Sequence, residues 1–384
     1  MNQPVVDLSV PPLAVLHQRR SRKWTENPPD VLSMTVAEMD FPVATPIRQA
    51  LMAAVNTSDF GYATAQPVEL SRTLAEFARR RLNWAIDPSQ VTVMPDVMVG
   101  LLELCRAVTG PGEALAFATP NYPPYFHELG TEGRRVVTIP MHPDWTLDLE
   151  ALERALEQGI KAFVLTNPHN PTGHLLSHGE LAAIAKRCAA AEVWVFADEV
   201  HAPLTLPGAT HVPWLSVSDE ARSCGVALTS ASKAFNLAAL KMAFIVTAGE
   251  RPRQLVQRLG PQQGHVGLLG EIAALAAFGD GDAWLDALIA QLDHNRRLLA
   301  EELAEQIPEI TWIPPQGSYL AWLNCQALGL GDDPAAAFLE RGRVALAPGL
   351  DYGAPGAGHV RLNFATSPEH LSDAVRRMRR ALDG

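Results

Sequence analysis

Cysteine is scarce in this chain and scattered: Cys105, Cys188, Cys224 and Cys325 form no C-x-x-C pair and have no histidine nearby at metal-ligand intervals. They read as reduced core thiols. Basic charge is also short, with 31 Lys and Arg against 42 Asp and Glu and a formal net charge of −11. Polyanion binding rests on basic side chains that displace counterions from phosphates, so nucleic acid and anionic membrane are not expected partners. No apolar run approaches the roughly 20 residues that span a bilayer, and the opening MNQPVVDLSVPP lacks the basic start and apolar stretch of a secretory signal. A cytoplasmic location is therefore expected. His169, His174 and His178 lie in turn-rich sequence without paired carboxylates or cysteines, so no metal site is expected.

What is present is ample material for a core, with 47% hydrophobic residues in 384. That length suits one large and one small domain better than a single core. From about residue 90 to 250, short β-rich apolar runs at 91–94, 114–118, 162–166, 193–197, 226–229 and 243–247 alternate with helical patterns. This alternation predicts an α/β fold with a mostly parallel sheet flanked by helices. Ser177 and Glu180 stand at capping-box spacing before a crossover helix. A long helical pattern over 283–305 is followed by strands at 310–313, 318–323 and 360–363, the texture of a smaller α+β domain. The predicted division is 1–48 as an N-terminal segment packing with the small domain, 49–282 as the large domain and 283–384 as the small one.

In an open α/β sheet the ligand lies outside the carboxyl ends of the strands. Three adjacent strand ends offer Asn167-Pro-His-Asn170, Asp198-Glu-Val-His201 and Ser230-Ala-Ser232-Lys233. Each has an ordinary reading alone: Asp198 as a helix cap, Lys233 as a solvated lysine, His201 as a core histidine, Asn170 as a turn residue. Together they meet the needs of pyridoxal 5′-phosphate (PLP) chemistry. That chemistry wants an amine to hold the cofactor, an acid facing the ring nitrogen, and polar groups for the ring oxygen and phosphate.

The order N-P-H-N-P-T-G at 167–173, A-D-E-V-H-A-P-L at 197–204 and S-A-S-K-A-F-N-L-A-A-L-K at 230–241 resembles the fold-type I PLP enzymes. Within them it resembles the cystathionine β-lyase-like C–S lyases grouped with class I/II aminotransferases. R-R-x-x-K-W at 19–24, V-A-E-M-D-F at 36–41, Gly61-Tyr62, P-N-Y-P-P-Y at 120–125, S-Y-L-A-W-L at 318–323 and V-R-L-N-F-A at 360–365 extend the likeness over nearly the whole chain. The resemblance implies that Lys233 binds the cofactor and later carries protons, and that Asp198 faces the pyridine nitrogen. It implies that Asn170 and His201 face the phenolic oxygen and that Tyr122 stacks on the ring. Ser230, Ser232 and the amides of Val97 and Met98 would hold the phosphate, and Arg361 would grip the substrate carboxylate. Tyr62 would reach the phosphate of a neighbouring subunit, in a homodimer with shared active sites acting on a small amino-acid substrate.

Three positions depart from the pattern or are ambiguous. Asp96 precedes the phosphate-binding amides where a small residue is expected, and reads as a helix cap turned away from phosphate. Lys241 stands where many aminotransferases have a phosphate-binding arginine, to contact phosphate or to cover the surface. Thr35 replaces a tryptophan of the lyase group, which leaves the shape of the substrate pocket open. The implied activity is β-cleavage of cystathionine or a related cysteine thioether to pyruvate, ammonia and a thiol. An aminotransferase and a PLP-family regulatory protein without turnover are the alternatives.

Overall fold

The computed structural model describes residues 6–64, 67–260 and 262–383. Seven strands build the main sheet: β1 Val91–Met94, β2 Ala114–Thr119, β3 Arg135–Pro140, β4 Ala162–Thr166, β5 Trp194–Asp198, β6 Gly225–Thr229 and β7 Ala243–Val246. Their order is β1-β7-β6-β5-β4-β2-β3. Only β7 runs against the rest, pairing antiparallel with both β6 and β1. The carboxyl ends of β1, β4, β5 and β6 therefore share one edge of the sheet. The residues that lead into β7, among them Lys241 and Met242, reach that same edge because β7 is reversed.

β2, β4 and β6 are buried at every position, as expected of strands covered by helices on both faces. The capping box of Ser177 and Glu180 is formed at the start of the helix His178–Ala190, which crosses over between β4 and β5. The helix expected over 283–305 spans Asp282–Gln306. A second sheet follows it, made of β8 Leu320–Asn324, β9 Ala347–Pro348 and β10 His359–Asn363, antiparallel in the order β9-β10-β8. Leu32 and Ser33 pair in parallel with Val344 and Ala345, which ties the N-terminal segment to the C-terminal part of the chain. Among the described residues no helix is long and apolar enough to cross a membrane.

Two expectations need correction, and one strand was not foreseen. The strand expected at 193–197 is shifted by one residue, so Asp198 is the last residue of β5 and not the first after it. The segment 310–313 is not a strand and makes a single bridge, Thr311 to Asn324. Pro314 and Pro315 follow it directly, and proline has no N–H to give a ladder. β3 went unpredicted. It pairs on one side only, with β2, and exposes much of its length, so it lacks the apolar run of a buried strand.

Candidate active site

A cavity of about 330 Å³ opens at the carboxyl edge of the sheet. Asn170, Asp198, His201, Ser230, Ser232, Lys233, Tyr122, Val97 and Met98 all line it. Nine of the eleven residues expected at the site thus share one space. Arg361 stands one hydrogen bond behind the wall, and Tyr62 lies away from it, fully exposed.

Asp198 ends the buried strand β5 and is 7% exposed. Its Oδ2 accepts from the Tyr125 hydroxyl at 2.7 Å and its Oδ1 from the Val200 N–H at 3.1 Å. Burial raises its pKa, against the lowering pull of those two bonds and of the Lys233 charge. Among the described residues it forms no ion pair. A buried carboxylate without a salt bridge is costly, so this one fits a ligand that brings a positive charge.

Lys233 follows β6 in the short helix Ala231–Ala234. Ser230 caps that helix, accepting from the Ser232 N–H at 2.9 Å while donating to the Met242 carbonyl at 2.6 Å. The Lys233 ammonium donates to the Ala37 carbonyl at 3.2 Å, an acceptor it shares with the Tyr319 hydroxyl at 2.8 Å. Burial lowers the Lys233 pKa and the Arg361 charge adds to it, while Glu38 and Asp198 oppose. A depressed amine is easier to use as nucleophile and base near neutrality.

Arg361 lies on β10, 5% exposed. Its Nη1 donates to Asn170 Oδ1 at 3.2 Å and its Nη2 to the Thr35 carbonyl at 2.9 Å. Its buried Nε has no partner among the described residues. Among the described residues the guanidinium meets no carboxylate, and its planar fork suits one. Asn170 is held by its loop: Gly173, with φ +67°, has so little room that an added Cβ would lie 2.3 Å from the Pro315 side chain. The Gly173 carbonyl accepts from the Gln316 and Gly317 N–H groups, so the Asn170 loop is tied to the segment leading into β8. His201 meets the Ser318 hydroxyl through Nδ1 at 3.1 Å. Burial, then the Lys233 and Arg361 charges, hold its pKa well below the usual histidine range, so the ring is neutral.

The phosphate end differs in detail from the expectation. Asp96 does cap the helix Val97–Val108, but its Oδ1 takes the Met98 N–H at 2.8 Å, one of the two amides expected to face phosphate. It does not turn away, because it lines the cavity and its Oδ2 pairs with Lys241 at 2.9 Å. Lys241 thus stands in the cavity wall, neutralising that carboxylate.

Several residues of the site were missed. Tyr125 is the largest omission, and the second tyrosine of P-N-Y-P-P-Y was its only signal. Arg22, Val36, Ala37 and Glu38 also line the cavity, from a segment without helical or strand periodicity.

A family model described as aminotransferase class I and II matches residues 29–378. The chain belongs to that family. A Mycobacterium tuberculosis protein carrying the provisional name cystathionine beta-lyase is 40% identical over 392 residues, covering 95% of each chain. The Bacillus subtilis cystathionine beta-lyase PatB is 32% identical, over 92% of this chain and 93% of that one. A crystal structure of a Corynebacterium diphtheriae protein, provisionally described as a PLP-dependent beta-cystathionase, superposes with a TM-score of 0.94 at 32% identity. It covers 98% of this chain and 100% of that one. The α/β architecture is accordingly that of the fold-type I PLP enzymes.

Proposed function

We propose that this protein is a PLP-dependent C–S β-lyase that cleaves cystathionine or a related cysteine thioether to pyruvate, ammonia and a thiol. The observation that carries the reading is that Asp198 and Lys233 line one cavity, with Arg361 just behind its wall, and among the described residues none of the three is in a salt bridge. A cationic ring, a reactive carbonyl and a substrate carboxylate would complete them in turn. The names of the relatives point the same way.

When bound, PLP supplies an aldehyde that engages amines and a ring that accepts electrons from Cα. The residues around it have separate tasks. Asp198, fixed by Tyr125 and the Val200 amide, holds a proton at the ring nitrogen. Asn170 and His201 would serve the phenolic oxygen, and Tyr122 would serve the ring. Ser232, the Val97 amide and Lys241 serve the phosphate, with the Ser230 hydroxyl and the Met98 amide already engaged within the protein. Arg361, aimed by Asn170 and Thr35, orients the substrate carboxylate. Lys233 Nζ would hold the cofactor at rest and would take the Cα proton of the substrate during turnover, so that the thiolate could leave the β-carbon with its electron pair. The fully exposed Tyr62 is free to serve the site of a second copy in a homodimer, and sedimentation of the purified protein as a dimer checks that assembly.

The test is to incubate the PLP-loaded protein with L-cystathionine and no keto acid, following pyruvate, ammonia and free thiol. Stoichiometric release of all three is expected, and Lys233→Ala should abolish it. Glutamate formation from 2-oxoglutarate and an amino acid without a β-leaving group, with no pyruvate from cystathionine, would make the protein an aminotransferase instead.

A further inference from the structure

Three carboxylates line the cavity: Asp96, Asp198 and Glu38. Asp96 is neutralised by Lys241, and Asp198 is bonded to Tyr125 and reserved above for the cofactor ring. Glu38 is left. It is half-buried, and among the described residues its carboxylate has neither a hydrogen bond nor an ion pair. Its field nonetheless reaches the interior of the site, since it favours the charged form of Lys233.

The backbone beneath Glu38 is held on several sides. Asn363 Nδ2 donates to the Val36 carbonyl at 2.6 Å and to the Glu38 carbonyl at 2.7 Å. Lys233 and Tyr319 both donate to the Ala37 carbonyl, and the Met39 N–H donates to Asn236 Oδ1 at 2.9 Å. A carboxylate on so fixed a support loses little freedom when it binds a ligand. Its negative charge in a partly desolvated wall selects an ammonium over a neutral group.

We infer that Glu38 determines substrate specificity by binding an ammonium group carried on the sulfur substituent, so that the preferred substrates are cysteine thioethers with a distal amine. The α-amine is taken by the cofactor and the α-carboxylate by Arg361, so the distal amine of cystathionine has Glu38 as its counter-charge. This rests on the lyase reading above. Arg22 lines the same wall, is paired with Glu26 and lies within electrostatic reach of Glu38, so the amine would compete with it for the Glu38 charge.

The test compares L-cystathionine with S-(3-carboxypropyl)-L-cysteine, which differs only in lacking the distal amine, on PLP-loaded wild type and Glu38→Gln. Wild type should favour cystathionine by about 10-fold or more in kcat/KM, in keeping with a charge-assisted hydrogen bond, and Glu38→Gln should bring the ratio to within about 2-fold. An unchanged ratio in the variant overturns the inference. So does an equal fall on both substrates with a displaced pH profile, which would make Glu38 a group that sets the Lys233 proton. Thermal unfolding of both proteins confirms that the variant is folded. Calorimetric dissociation constants for the two compounds are measured alongside. If neither compound is cleaved, the lyase reading fails, and the binding ratio alone sustains or overturns the role of Glu38.

Discussion

The two walls of the cavity are made in different ways. One is the carboxyl edge of the sheet, where Asn170, Asp198, Ser230 and Lys233 follow or end strands whose buried neighbours fix them in place. The other is residues 36–38, which with the preceding Thr35 belong to no regular element and are positioned by side chains from β10 and its surroundings. On the first wall backbone hydrogen bonds and core packing do the positioning. On the second, single polar side chains do it, so losing one should loosen a whole stretch. In the proposed function the first wall would hold the groups that handle protons and charge on the cofactor, and the second wall would shape the space for substrate.

The largest expected effect lies on the sheet wall. Asp198→Asn keeps the shape and loses the charge proposed to hold a proton on the ring nitrogen. We expect PLP binding to survive and kcat to fall by about 10² to 10³, or roughly 3 to 4 kcal/mol, the usual loss when one preorganised electrostatic group is removed. Titration of cofactor content and steady-state pyruvate release give the two readouts. Near-normal turnover would falsify the role assigned to Asp198 and weaken the contrast between the walls.

The second wall should respond differently. Asn363→Ala removes both donors that hold the Val36 and Glu38 carbonyls, and also the Oδ1 that accepts from the Ala365 N–H at 2.8 Å. Asn363 is fully buried, so those groups lose their partner with no easy access to water. We expect a loss of about 2 to 3 kcal/mol in urea unfolding. We also expect KM to rise by about 3- to 10-fold with kcat kept within about 3-fold, because the substrate wall loosens while the proton-handling groups stay fixed. A kcat that fell as far as in Asp198→Asn, with KM unmoved, would show that the two walls do not divide the work.

The same contrast explains what the sequence disclosed. Asn170, Asp198, Ser230 and Lys233 stand at the ends of apolar runs, and period-two and buried-strand patterns are the local signals easiest to read. β3 was not read because an edge strand need bury only part of its length, and the charged Arg134 and Arg135 at its start mask it. Tyr125 was missed because its partner Asp198 is 73 residues away and no periodicity links them. Residues 36–38 carry no periodic signal at all. Their place in the cavity depends on Asn363 and Arg361 more than 320 residues later, so only the resemblance of V-A-E-M-D-F to its family pointed to them. The Asp96–Lys241 pair was half visible: the capping role follows from local sequence, but the partner depends on β7 running antiparallel.

The smallest effect concerns the sheet wall at low pH. His169, in the turn after β4, is 3% exposed, and its Nδ1 meets the Thr172 hydroxyl at 2.9 Å. Burial first, then the nearby His174, hold its pKa down to about 3 from the ordinary 6.5. The folded chain therefore keeps this imidazole neutral where the unfolded chain protonates it. Between about pH 6.5 and 3 the unfolded state binds the extra proton, so stability falls as pH drops through 6.5, by at most about 1.4 kcal/mol per unit for this one group. His169→Gln removes the titration while keeping a polar group near Thr172. Urea unfolding at pH 7.5, 6.5 and 5.5, at one protein and cofactor concentration, should show wild type losing about 1 kcal/mol more than the variant across that range. The variant starts lower at pH 7.5 for its poorer packing, so the decisive quantity is the difference in slope and not in level. Parallel lines would mean that the folded chain takes up this proton as readily as the unfolded chain, so that burial does not hold the His169 pKa down. The rigidity of the sheet wall would then have to be credited to Asn167, whose side chain accepts from the Leu176 N–H at 3.1 Å, and to the strand ladder.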